Sequence, residues 1–159
     1  MTTKTLEIGG GDKPYYRPNM DVRPLPTVDI VHDLNKFPWP VLDNDYEFVF
    51  SRYTIEHVSW RSLPQFINEM YRITKPGGRV MVISPNLRAQ AEILSRKRDW
   101  NLKNDVCMIF GDQNYGENAH SSSCSPELYH QLYAEAGFKN VVTYPVPYWH
   151  GDMVLEALK

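Results

Sequence analysis

Hydrophobic and polar positions along the chain follow two periods in turn. Thr5-Leu6-Glu7-Ile8, Asn19-Met20-Asp21-Val22, Val28-Asp29-Ile30-Val31-His32 and Tyr46-Glu47-Phe48-Val49-Phe50 have the length and residue types of short strands. Between them stand Gly9-Gly10-Gly11, Lys13-Pro14-Tyr15-Tyr16-Arg17-Pro18 and Phe37-Pro38-Trp39-Pro40, where glycine and proline leave no room for a regular helix. The period then changes. Leu63, Phe66, Ile67, Met70 and Tyr71 recur at helical spacing and predict an amphipathic helix ending at Lys75-Pro76-Gly77-Gly78. The apolar run Arg79-Val80-Met81-Val82-Ile83-Ser84 predicts a strand covered on both faces.

Asn86 is placed to cap a second helix running to about Lys97, with Arg88 and Glu92, then Glu92 and Arg96, spaced for ion pairs. Residues 99–124 show no period and are rich in Asn, Gly, Asp and Ser. They read as a long irregular insert, of the kind that carries function or stays disordered. Ser125 and Pro126 open a further helix through Ala136, closed by Gly137, with Phe138 set against Tyr133. Val141-Val142-Thr143-Tyr144 and Met153-Val154-Leu155-Glu156-Ala157 predict a closing antiparallel pair. Strands that alternate with helices predict an α/β fold, Rossmann-like and doubly wound, with a mostly parallel sheet and an antiparallel C-terminal strand pair.

The chain has 159 residues, the size of one domain with one core, so residues 1–159 are read as a single domain. No apolar run is long enough to span a bilayer, and Met1-Thr2-Thr3-Lys4 leads directly into a strand, which predicts a cytoplasmic chain. Cys107 and Cys124 are the two cysteines, too few for a disulfide framework or a zinc site, so no metal is expected. The net charge of -2 offers no general attraction for a polyanion, which disfavours nucleic acid as a partner.

In a doubly wound sheet, ligands sit beyond the carboxyl ends of the strands, where the strand order reverses. The polar residues gather at those ends. Glu7 and Gly9-Gly10-Gly11 close the first strand, Asp21 the second, Asp33-Leu34 follow the third and Ser51-Arg52-Tyr53 the fourth. Glycines let a ligand approach the backbone, and a carboxylate can accept from two ribose hydroxyls at once, the role read for Asp21. Asp33 can accept from an adenine amino group while Leu34 packs on the base. Each has a plainer reading: the triplet as a flexible turn, Asp21 as a cap for Arg23.

This order of residues resembles the class I S-adenosylmethionine-dependent methyltransferases over nearly the whole chain. The resemblance rests on Leu6-Glu7-Ile8-Gly9-Gly10-Gly11, Asp21, Asp33-Leu34, Phe37-Pro38-Trp39-Pro40 and Asp43-Asn44-Asp45-Tyr46-Glu47. It continues through Ile55-Glu56-His57-Val58, Tyr71-Arg72-Ile73-Thr74-Lys75-Pro76-Gly77-Gly78-Arg79-Val80, Ser125-Pro126-Glu127-Leu128 and Ala136-Gly137-Phe138. Two departures stand out: the helix between Gly11 and Asp21 is reduced to a loop, and Glu47 stands where the family more often has Asp. Without that helix there is no positive helix end for a pyrophosphate, which argues against NAD.

The resemblance implies methyl transfer from S-adenosyl-L-methionine, with Glu7, Gly9, Gly10, Gly11, Asp21, Asp33, Leu34, Ser51 and Arg52 as cofactor-binding residues. A general base is optional for such a donor; His57, His120 and Tyr53 are the candidates, against the plainer reading of the two histidines as packed or surface residues. Insert 99–124 is the expected acceptor pocket or lid. The acceptor is expected to be a small molecule, a sugar or glycan precursor. Ser51-Arg52-Tyr53-Thr54 lacks the Asp/Asn/Ser-Pro-Pro-aromatic pattern of amino-methylating DNA enzymes, and two cysteines cannot hold a radical iron–sulfur cluster. The alternative, from a different class, is a binding or regulatory protein that keeps the cofactor fold without turnover.

Overall fold

A computed structural model describes residues 3–147 and 149–159; Met1 and Thr2, the expected lead into the first strand, lie outside them. The strands are β1 (Thr5–Ile8), β2 (Asn19–Asp21), β3 (Ile30–Val31), β4 (Tyr46–Arg52), β5 (Thr74–Pro85), β6 (Lys139–Val146) and β7 (Trp149–Leu158). They form one sheet in the order β3-β2-β1-β4-β5-β7-β6. The first five pair in parallel, and β7 inserts antiparallel between β5 and β6. This is the mixed, mostly parallel α/β sheet that the alternating pattern predicts. Strand order reverses between β1 and β4, so the carboxyl ends of those two strands define the switch point.

Register explains why the strands read as apolar runs. Leu6, Val49, Val80 and Ala157 lie side by side across β1, β4, β5 and β7, with Ile8, Val82 and Leu155 one row on. That face packs on α1 (Leu63–Ile73) and α4 (Pro126–Glu135), whose Phe66, Ile67, Met70, Ile73, Tyr129 and Tyr133 are buried with it in one core. Each such side chain contributes about 1.5–3 kcal/mol by leaving water. On the opposite face the loop after β1 does the covering: the Tyr16 ring lies edge-on to Phe48 and Phe50 at 5.5 and 5.3 Å, and Tyr15 meets Phe50 at 6.0 Å.

Several boundaries differ from the sequence expectation. Helix α1 stops at Ile73, and Lys75-Pro76-Gly77-Gly78 belong to β5; Gly77 N–H donates to the Lys159 carbonyl and Lys159 N–H to that of Gly78, which draws the segment into the sheet. The third strand shrinks to two residues because the Asp29 carboxylate turns back to accept from Asn19 N–H. Insert 99–124 is not wholly irregular. It holds a π turn at Leu102–Val106, α3 (Cys107–Phe110) and a 3₁₀ turn at Gly116–Asn118. The buried Asp105 carboxylate, which accepts from Asn101 N–H and binds Lys97, organises the first of these.

Helix α2 (Leu87–Ser95) starts at Asn86, whose side chain accepts from Ala89 N–H at 3.2 Å. Of the two ion pairs expected on it, Glu92 meets Arg96 at 4.0 Å, whereas Arg88 instead reaches Glu127 on α4 at 2.8 Å. Asn86→Ala is expected to cost about 1 kcal/mol, the ordinary loss of an N-cap. An unshifted denaturant midpoint in that variant would show that the cap does not hold α2.

Candidate active site

The glycine loop leaves β1 at Gly9, whose φ of +73° is a left-handed conformation; a Cβ there would stand 2.1 Å from Thr54 Oγ1. No larger residue fits that junction between β1 and the end of β4. All three loop amides donate within the chain: Gly9 to the Met20 carbonyl at 2.7 Å, Gly10 to Asn19 Oδ1 at 2.9 Å, and Gly11 to Asp21 Oδ2 at 3.0 Å. A pyrophosphate, which needs N–H donors, finds none free among them. Glu7 lies beneath the loop, where Oε2 accepts from Tyr15 and Tyr16 N–H at 2.6 and 2.7 Å. Burial pushes its carboxyl up, and those two amides and Arg52 pull it back.

Asp21 ends β2 with both carboxylate oxygens in use: Oδ1 accepts from Arg23 N–H at 2.9 Å and Oδ2 from Gly11. A carboxylate has about four lone-pair directions, so Oδ2, with one donor, keeps room for another, and Asp21 lines the cavity of the site. After β3, Asp33 Oδ1 accepts from Asn35 N–H at 3.0 Å, and Leu34 is buried beside it. The Leu34 carbonyl accepts from Trp39 Nε1 at 3.3 Å. Trp39 is anchored in turn by its amide on Glu69 Oε2 at 2.7 Å and its ring against Phe66 at 5.0 Å. Burial pushes Glu69 up, but the hydrogen bonds from Arg72 and Trp39 prevail and hold it below its ordinary value.

Beyond β4 the chain turns sharply at Tyr53, whose φ is +51°, into the 3₁₀ turn Ile55–His57. Tyr53 O–H donates to Asp152 Oδ2 at 2.9 Å. Glu56 is 2% exposed. Burial pushes its carboxyl up to about 8, its own amide and that of Thr54 oppose this, and Asp152 adds to the rise. His57 and His120 stand face to edge with ring centroids 5.2 Å apart. Burial pushes both below their ordinary value, with His57 adding to the effect on His120. His57 Nδ1 donates to the Ala119 carbonyl at 3.1 Å and His120 Nδ1 to that of Ile109 at 3.2 Å. Each ring therefore keeps Nε2 as its lone-pair nitrogen at neutral pH.

One cavity of about 1350 Å³ joins these parts, larger than the ~300–1,000 Å³ of a single-ligand pocket. Of the residues singled out in the sequence, Gly9, Asp21, Asp33, Leu34, Tyr53, His57 and His120 line it. Glu7, Gly10, Gly11, Ser51 and Arg52 do not: the first three shape the loop from behind, Ser51 is buried, and Arg52 lies over the Tyr15 ring at 4.4 Å. The wall also holds Thr54, Glu56, Gln90 and Asp152, to which the sequence reading gave no role. Glu56 had a usable signal, a carboxylate beside His57; Gln90 and Asp152 come from distant segments and had none. Trp39 is buried against Phe66, Tyr15 and Tyr16 remain exposed with their ring edges on Phe48 and Phe50, and Trp149 lies on the cavity wall.

No curated protein matches the chain. Its architecture is similar to that of a Thermotoga maritima S-adenosylmethionine-dependent methyltransferase, described as a possible histamine N-methyltransferase, with a TM-score of 0.70 at 17% identity over 100% of this chain and 83% of that one. An Archaeoglobus fulgidus S-adenosylmethionine-dependent methyltransferase gives 0.68 at 13% identity, covering 99% and 86%, and one from Mesorhizobium loti 0.67 at 10%, covering 99% and 91%. A family model described as a methyltransferase domain matches residues 3–143. The chain belongs to that methyltransferase-domain family and has the fold of the class I S-adenosylmethionine-dependent methyltransferases.

Proposed function

We propose that the protein transfers a methyl group from S-adenosyl-L-methionine to a small, polar, hydroxyl-rich acceptor such as a sugar or glycan precursor. The observation that carries this reading is the single cavity that runs from Gly9, Asp21 and Asp33 to His57 and His120. Its first end fits a cofactor without phosphate: the loop amides are occupied, and Asp21 retains an acceptor direction for a ribose hydroxyl. Asp33 and Leu34 are the residues for the adenine ring. When bound, the cofactor supplies an already activated methyl group on a sulfonium.

The protein then has to align, desolvate and take one proton, and alignment alone is worth about 7–11 kcal/mol in well-oriented systems. The second end of the cavity supports that role. Asn35, Gln90, Asn104, Asn114 and Asn118 line the same cavity, and carboxamides both donate to and accept from hydroxyl groups. Insert 99–124 forms one wall and acts as the lid. The neutral imidazoles of His57 and His120 are the seat of proton removal, and Tyr53, hydrogen-bonded to Asp152, lines the same cavity.

Calorimetric titration with S-adenosylmethionine and S-adenosylhomocysteine is expected to give one site for each, and labelled methyl to appear on a member of a sugar and nucleotide-sugar panel. Failure of both sulfur compounds to bind would remove the reading. Binding without transfer to any acceptor would make the chain a cofactor-binding regulator instead.

A further inference from the structure

We infer that Glu56, His57 and His120 form a binding site for one divalent transition-metal ion at the acceptor end of the cavity. One donor atom from each of the three lies within 4.8 Å of the others, and all three residues line the cavity. Two imidazoles and a carboxylate suit Zn²⁺, Co²⁺ or Fe²⁺, and leave positions open for an exchangeable ligand. The inference goes beyond methyl transfer, because the site stands or falls on its donors whether or not the protein turns over.

Three features separate this cluster from a chance meeting of side chains. Glu56 Oε2 is buried and has no hydrogen-bond partner, a state that costs free energy unless something completes it. Each histidine donates Nδ1–H to a main-chain carbonyl, Ala119 for His57 and Ile109 for His120. That is the outer-sphere arrangement that fixes a ligating imidazole with Nε2 toward the metal. The segments are also stitched together: the Glu56 carbonyl accepts from Ser121 and Ser122 N–H at 2.8 and 3.0 Å, and Ser122 Oγ donates to the Ile55 carbonyl at 3.2 Å.

The fit includes a tight approach at Gly111, whose φ is +77°. A Cβ there would stand 2.9 Å from the His120 ring, so only glycine lets that ring lie where it does. Metal–ligand bonds of about 2.0–2.2 Å place donors roughly 3.5 Å apart in a tetrahedral shell. Loading therefore draws the two rings and the carboxylate together by about an ångström, within the reach of side-chain rotation. A hydroxyl of the acceptor is the natural occupant of an open position. The cation would lower that hydroxyl's pKa and let its proton pass to water. With the ion bound, the imidazoles hold it; without it, they are themselves the proton acceptors.

The test is direct titration of Co²⁺ and Zn²⁺ into chelator-stripped, tag-free protein. One equivalent of Co²⁺ with a visible ligand-field spectrum, displaced by Zn²⁺, is the expected result. Glu56→Gln and His120→Asn, both close in size to the native residue, should each weaken binding by about tenfold or more, with thermal melts verifying that each is folded. Absence of stoichiometric binding, or an affinity unchanged in both variants, overturns the site. Cofactor titration of the stripped protein is a separate measurement, so loss of the metal site and loss of the methyltransferase reading are told apart.

Discussion

Replacing Trp39 by alanine is expected to lower the stability of the protein by about 3–5 kcal/mol, a fall in melting temperature on the order of 10 °C for a domain of this length. Trp39 is 2% exposed and packs edge-on against Phe66 of α1. Its removal leaves a void between the helix and the loop before β4. The main-chain contacts survive the change: Trp39 N–H on Glu69 and the Trp39 carbonyl under Arg72 are backbone groups. The loss is therefore one of packing and of the indole hydrogen bond to the Leu34 carbonyl. Trp39→Phe separates the two. It keeps most of the ring volume, so it should cost less stability, yet it frees Leu34 and should weaken S-adenosylmethionine binding. Equal stability of wild type and Trp39→Ala in chemical denaturation would contradict the placement of this residue in the core.

Trp39 also illustrates what the sequence could and could not convey. The proline-flanked segment Phe37-Pro38-Trp39-Pro40 reads correctly as a loop, because proline removes N–H donors and fixes φ. That Trp39 ties the base-side loop to α1, by its indole on the Leu34 carbonyl and its main-chain amide on Glu69, depends on residues five and thirty positions away. The elements that were legible are those written locally: α1 in its apolar period, α4 in Ser125-Pro126 and Gly137, and β7 and β6 in their apolar runs. Gly9, Asp21, Asp33 and Leu34, which line the cavity, could be singled out for the same reason, since each lies at or just past a strand end, whereas Glu7, Gly10, Gly11, Ser51 and Arg52, chosen on the same ground, do not line it. What escaped the sequence is held by pairings that leave no period. Asp105 builds a turn from a buried charge, Lys159 draws Gly77 and Gly78 into the sheet, and Asp152 reaches Tyr53 across 99 positions.

Asp21→Ala is expected to weaken S-adenosylmethionine binding by about 1–3 kcal/mol, the usual cost of losing hydrogen bonds to a charged acceptor, which reads as about a 5- to 150-fold rise in dissociation constant. The geometry makes this a test of two roles at once. Asp21 accepts from Gly11 N–H and from Arg23 N–H, so alanine also releases the glycine loop. Asp21→Asn divides the roles. Its carboxamide can still accept from one of these amides, while its NH₂ opposes the other and removes charge from the ribose side. If ribose recognition is the main contribution, Asn should lose nearly as much cofactor affinity as Ala while losing less stability. If loop anchoring is the main contribution, affinity and stability should fall together across the pair. Calorimetry of both variants beside their denaturation curves makes the division, and affinity unchanged in Asp21→Ala would remove the ribose from this end of the cavity.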